Sequence, residues 1–152
     1  MDDYKELKLA VDKLGKEYIL ELTKQLIAAD KKASGKLLRS LNYNVIEVLG
    51  TVMLRIAAER YLLDVDKGRK PGKMPPTSPI KKWIDVRKIK PKDMTRDQLA
   101  FVIARSIKKK GIQPTNVIQK TIDNILKNKT KILAEAASKD VMKQIDKILI
   151  NL

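Results

Sequence analysis

The chain of 152 residues contains no cysteine and no histidine. The first absence excludes disulfides, thiolate nucleophiles and most zinc sites; the second removes the usual general base of neutral-pH catalysis. Aromatic residues make up only 4% of the chain, with a single tryptophan and a single phenylalanine. No apolar run approaches the ~20 residues needed to cross a bilayer. The opening MDDYKELKLAVDKLGKE carries acids where a secretory signal needs a basic start and an apolar middle, which predicts a soluble chain, not exported by that route and without a membrane partner.

What is present is an ordinary globular balance, 43% hydrophobic and 34% charged, long enough for one domain over 1–152 with a real core. Thirty-three basic residues against eighteen acidic leave a net charge of +15. The excess is local: 67–92 holds ten Lys or Arg against Asp85 alone, +9 of the total. Such a patch attracts a polyanion or an acidic partner surface through Coulomb forces that salt weakens, or else solvates a loop in a lysine-rich chain. It is not interleaved with the aromatics that stack bases.

Within the patch, DKGRKPGKMPPTSPIKKW sets two glycines and four prolines before the only tryptophan, Trp83. Proline fixes φ and removes a donor, so 67–79 is predicted to be a loop. Ahead of it, Tyr4, Leu7, Val11, Leu14, Tyr18, Leu22 and Leu26 fall three or four apart, which predicts an amphipathic helix over 3–29 that Gly15 weakens by about 1 kcal/mol. Alternation in LLRSLNYNVIEV and again at Val52, Leu54 and Ile56 predicts a β-hairpin over about 37–57, turning near Leu49-Gly50-Thr51. A shift of apolar parity, from Tyr43 and Val45 to Ile46 and Val48, predicts a bulge or a strand with two buried faces.

Ala58, Tyr61, Leu62 and Val65 predict a short helix ending at Gly68. After the loop, Ser78 as N-cap and Pro79 at the first position predict a helix whose apolar side is Ile80, Trp83, Ile84 and Val86, with Trp83 anchoring it to the core. Thr95 and Gln98 stand in capping-box positions before a stripe of Leu99, Val102, Ile103 and Ile107, and Gly111 terminates that helix. From 115 to 151 apolar residues recur at helical spacing without a glycine or proline. One helix of that length spans about 50 Å, against a radius of gyration of ~15 Å for a compact chain of this size. Part of it is therefore expected to fold back near Ser138 or to pack on another subunit. The fold class these elements predict is α+β, a small antiparallel sheet against several helices.

Candidate chemistry is thin. The S-x-x-K strings Ser78–Lys81 and Ser106–Lys109 lack the companion motifs of serine acyl enzymes, and in a chain this rich in lysine they are expected by chance. GRKPGK lacks the spacing of a phosphate loop. Glu59, Asp64 and Asp66 lie beside Arg60, Lys67 and Arg69, so ion pairing is a simpler use for them than metal binding. No catalytic residue, cofactor or metal is predicted.

The hairpin, the short helix, YLLDVDKGRKPGKMPPTSPIKKWI, LAFVIARSIKKKGIQPT and the long terminal helix together resemble the head-tail joining and tail-completion proteins of tailed bacteriophages, over roughly residues 33 to 130. Ala33-Ser34-Gly35 is comparable to the small-residue loop that opens a strand in that family, Tyr61 to a tyrosine after the second strand, and Val65 and Gly68 to a V-x-x-G segment before a proline-rich loop. The GRKPGK-PP-PI-KW and AF-IA-I-KKGI patterns are similar to structural proteins of phages of Bacteroidetes, including crAss-like phages with short tails built of stacked rings. The long segment after Asn128 and the high lysine content depart from smaller members.

The resemblance implies a non-enzymatic virion protein, made in the host bacterial cytoplasm and placed in the phage neck or tail. Its partners would be copies of itself in a ring, twelve-fold if it follows the portal, then the portal and other neck proteins, and genomic DNA passing through. Ring neighbours meet heterologously, and a stiff proline segment loses little freedom on docking. Gly68, Arg69, Lys70, Pro71, Gly72, Lys73, Met74, Pro75, Pro76 and Pro79 are accordingly expected at an adjacent subunit, with Trp83 anchoring the end. Lys81, Lys82, Arg87, Lys88, Lys108, Lys109 and Lys110 would face acidic neighbours or the DNA path, with nearby acids moderating any that line the channel. The chief rival is a free basic nucleic-acid-binding protein; a basic nuclease working through carboxylates and lysine stands third.

Overall fold

The computed structural model describes residues 4–30 and 34–150, with Asn128 and Ile150 described by their backbone. Its elements are α1 (Lys5–Ala28), α2 (Lys36–Ser40), β1 (Asn42–Val48), β2 (Thr51–Ala57), α3 (Leu62–Lys67), α4 (Thr77–Val86), α5 (Arg96–Lys110) and α6 (Val117–Ile150). The chain is α+β, mostly helical with one two-stranded antiparallel sheet. Among the described residues no helix is long and apolar enough to cross a membrane. Ala33 and the two ends of the chain lie outside the described residues.

The chain forms two compact units: 1–25 with 41–58 and 117–152, and 26–40 with 59–116. In the first, α1 buries Val11, Tyr18 and Leu22, the predicted stripe. Helix α6 runs antiparallel to it: Lys143 Nζ meets Glu6 at 2.9 Å, Lys129 Nζ meets Glu17 at 3.0 Å, and Asn124 Nδ2 donates to Glu21 at 3.0 Å. Asp140, only 3% exposed, accepts the backbone N–H groups of Glu6 and Leu7 at 3.2 and 2.8 Å. Those first-turn donors have no partner within α1, and the helix dipole favours a carboxylate there.

The hairpin packs on α1 at Gly15. A methyl group on Gly15 would overlap the Tyr43 ring and the Leu54 side chain, so this buried glycine provides the room for the sheet. Tyr43 Oη donates to Asp12 at 2.9 Å beside it. The register is unbroken from Asn42↔Ala57 to Val48↔Thr51, so of the two alternatives for the parity shift, a bulge or two buried faces, the bulge is absent. Tyr43, Val45, Leu54 and Ile56 share the half-buried face, while Ile46, Val48 and Met53 lie on the other. The strand also starts later than expected: Lys36–Ser40 is helical, with Ser34 Oγ accepting the Lys36 N–H and Ser40 Oγ donating to Leu37 O.

In the second unit the core is Ile80 and Ile84 of α4 against Ala100 and Ala104 of α5, flanked by Met74, Leu99, Ile103 and Ile107. Alanines at the contact let the two helices approach closely, which moves the predicted Val102 to the exposed side. Trp83 is likewise 40% exposed; Ile80 and Ile84 are the core residues of α4 and the tryptophan is not. Helix α4 begins at Thr77, with Pro76 rather than Ser78 before it, and Pro79 sits in the first turn, where its missing N–H is harmless. The Thr95–Gln98 capping box forms in both directions, and Gly111 at φ 72° ends α5. Helix α3 starts at Leu62, because β2 continues through Ala57 and Ala58 is not helical.

Helix α6 is continuous over 34 residues, about 51 Å, and does not fold back near Ser138.

Candidate interaction surface

Gly68 ends α3 at φ 66°, and the chain then lies against the segment that follows α5. Arg69 and Ile112 exchange both backbone hydrogen bonds, Arg69 N–H to Ile112 O at 2.9 Å and Ile112 N–H to Arg69 O at 2.7 Å. Gly72 N–H donates to Lys108 O at 2.9 Å, capping a carbonyl in the last turn of α5, and Arg69 Nη2 donates to Lys73 O at 2.8 Å. Side chains at Gly68 or Gly111 would run into backbone, at Ile112 and Pro114 in one case and at Arg69 and Pro71 in the other. Residues 68–72 are therefore strapped to their own unit. Farther along, Thr115 Oγ1 donates to Val65 O, and the N–H groups of Thr115 and Asn116 donate to Asp66 O, closing the end of α3.

The strap has a consequence for charge. It sets Arg69, Lys70 and Lys73, in one loop, beside Lys108, Lys109 and Lys110, at the end of a helix. All six are exposed, and among the described residues none forms an ion pair. Pro71, Gly72, Pro76 and Pro79 are exposed with them, whereas Met74 and Pro75 are half-buried, Met74 against the α4–α5 core.

The remaining predicted cations behave differently. Lys81 Nζ lies 2.8 Å from Asp97, and its hydrogen bond holds the Asp97 carboxyl below the usual range. Arg87 clamps Asp30 with Nη1 at 2.9 and 3.1 Å from the two carboxylate oxygens and Nη2 at 2.6 Å from the backbone carbonyl. Its guanidinium also stands 5.9 Å from the centre of the Trp83 ring, within reach of a cation–π attraction. Arg96 bonds Asp85 at 2.9 Å. Lys82 and Lys88 are exposed. Acids thus moderate Lys81 and Arg87 and leave the strap cluster untouched. Among the other acids, Glu59 pairs with Lys36 rather than with Arg60.

By sequence, the second unit carries 20 Lys and Arg against 7 Asp and Glu, a net +13, and the first 13 against 11, a net +2.

Two exposed apolar surfaces lie in the first unit. Leu49 at the hairpin tip is 99% exposed at φ 49°, beside Gly50 at φ 75°. Val141, Met142, Ile145, Ile148 and Leu149, on the last turns of α6, are each about half exposed or more. Their helical spacing was visible, but periodicity does not tell a core stripe from a face turned to solvent. Among the described residues no group of three or more acids stands together as a metal-ligand set. No family model, curated protein or solved structure matches the chain.

Proposed function

We propose that the chain is a structural ring subunit of a phage head-to-tail connector, fastening portal to tail around the path of the genome, with no enzymatic step. The observation that carries this reading is the uncovered apolar side of α6: five large apolar residues at 141–149, on a helix whose opposite side is engaged by α1. Contiguous exposed apolar surface of this kind marks an association site. The exposed hairpin tip and the exposed prolines of the loop offer further contacts to neighbouring subunits. The sequence resemblance supplies the biological setting.

The test is assembly. Purified protein examined by negative-stain electron microscopy and mass photometry is expected to form closed rings, and I145E with I148E is expected to leave monomers of unchanged helicity. A protein that stays monomeric at high concentration, and fails to join portal-containing particles, would overturn the reading. The free nucleic-acid-binding rival draws on the +13 of the second unit, and predicts DNA binding by a chain that never forms rings.

A further inference from the structure

We infer that Arg69, Lys70, Lys73, Lys108, Lys109 and Lys110 form one binding surface for the phosphate backbone of double-stranded DNA. The connector reading supplies only the place where that DNA would be met.

The cluster is created by folding. Its two halves are far apart in sequence and are joined by the Arg69–Ile112 bridge and the Gly72–Lys108 hydrogen bond. Backbone bonds thus hold six like charges together, although like charges repel and acids were available to the same unit: Asp97, Asp30 and Asp85 serve Lys81, Arg87 and Arg96 instead. A bound polyanion relieves that repulsion. Two features favour a nucleic acid over an acidic protein. The set is purely cationic and lysine-rich, whereas protein interfaces are depleted in lysine at their centres and protein–DNA interfaces are much more positively charged. Lysine heads on flexible stems also suit closely spaced phosphates read without sequence. Neither run of the six is interleaved with an aromatic residue, so what they offer is charge for a duplex backbone rather than a platform for unstacked bases.

The test uses the full chain and a fluorescently labelled random-sequence duplex, with affinity read by anisotropy as salt is raised. Each phosphate contact contributes about 0.9 to the slope of log affinity against log salt. The triple variant K108Q/K109Q/K110Q is expected to lower that slope by about 3, and K70Q/K73Q by about 2. The control K120Q/K127Q, exposed lysines of the first unit, is expected to change it by less than about 1. Circular dichroism of each variant shows that the helices persist, since none of these side chains is in a core. An unchanged slope in the triple variant, a control that loses as much, or poly-glutamate displacing the duplex at equal charge would each overturn the inference. Ring formation is scored separately by microscopy: rings with no DNA affinity sink this inference and leave the connector, and DNA affinity without rings does the reverse.

Discussion

In the first unit Lys143, Lys129 and Lys8 each reach an acid on another element, Glu6, Glu17 and Glu47, and the buried Asp140 is satisfied by the start of α1. In the second, ion pairs gather around α4 and the start of α5, while the strap and the end of α5 hold cations with no acid among them. The same chain therefore uses lysine in two ways. Lys143 and Lys129 in the first unit and Lys81 in the second bridge helices; the lysines of the strap and of the end of α5 present charge outward. Net charge alone cannot distinguish the two, because solvent-exposed pairs contribute little to stability and the difference lies in which acids are within reach.

The sharpest way to break this comparison is to damage one unit and watch both. Ile84, 1% exposed in the α4–α5 core, is expected to cost about 2–5 kcal/mol when replaced by alanine. Trp83, the only tryptophan, reports the second unit, and far-ultraviolet dichroism is dominated by α1 and α6. In urea the I84A tryptophan transition is expected to move further than the dichroism transition. Coincident movement would show that the units melt as one.

Acid comes next. Glu6, Asp12 and Glu21 in the first unit have carboxyls held below their ordinary values, chiefly by hydrogen bonds from Lys143, Lys16 and Gln25 respectively; in the second unit Asp97 is held down by Lys81. A depressed carboxyl stabilises the fold above its unfolded value, 4.5 for Glu and 3.8 for Asp, and that contribution disappears as pH falls through the lower folded value. Below about pH 4.5 the dichroism midpoint is expected to fall faster than the Trp83 midpoint. The opposite order would mean that the pairs of the first unit are dispensable.

The smallest effect is at Leu49, which occupies a left-handed backbone position where Asn-Gly is the favoured pair. L49N is expected to raise stability by about 0.5–1 kcal/mol in thermal melts, and to weaken assembly if the tip is a ring contact. A loss of stability would show that the exposed leucine serves the monomer.

Much of this architecture was legible in sequence because the relevant signals are local. Thr95 with Gln98, Gly68, Gly111 and the stripe of α1 act through neighbours within a turn, and each sits where spacing placed it. The errors came where the deciding partner is distant. Gly15 looked like a weak point of a helix until Tyr43 and Leu54 came to lie against it. Helical spacing puts Trp83 and Val102 on the apolar sides of their helices, yet the space between α4 and α5 is filled by Ile80, Ile84, Ala100 and Ala104. LLRS is read with the strand because Leu41, Tyr43 and Val45 alternate directly after it, but serines at 34 and 40 bond to nearby backbone and hold a helical turn. The strap cluster was half visible: both runs of cations were noticed, and nothing local revealed that Arg69 pairs with Ile112.

That pairing has an evolutionary corollary. Lysines at 70, 73 and 108–110 project outward and can drift to arginine, or shift by a residue, without disturbing any backbone bond. Gly68 and Gly111 cannot, since each faces main chain across the bridge. Distant kin of this chain should therefore be sought by that pair of glycines, with the basic residues treated as a loose halo around them.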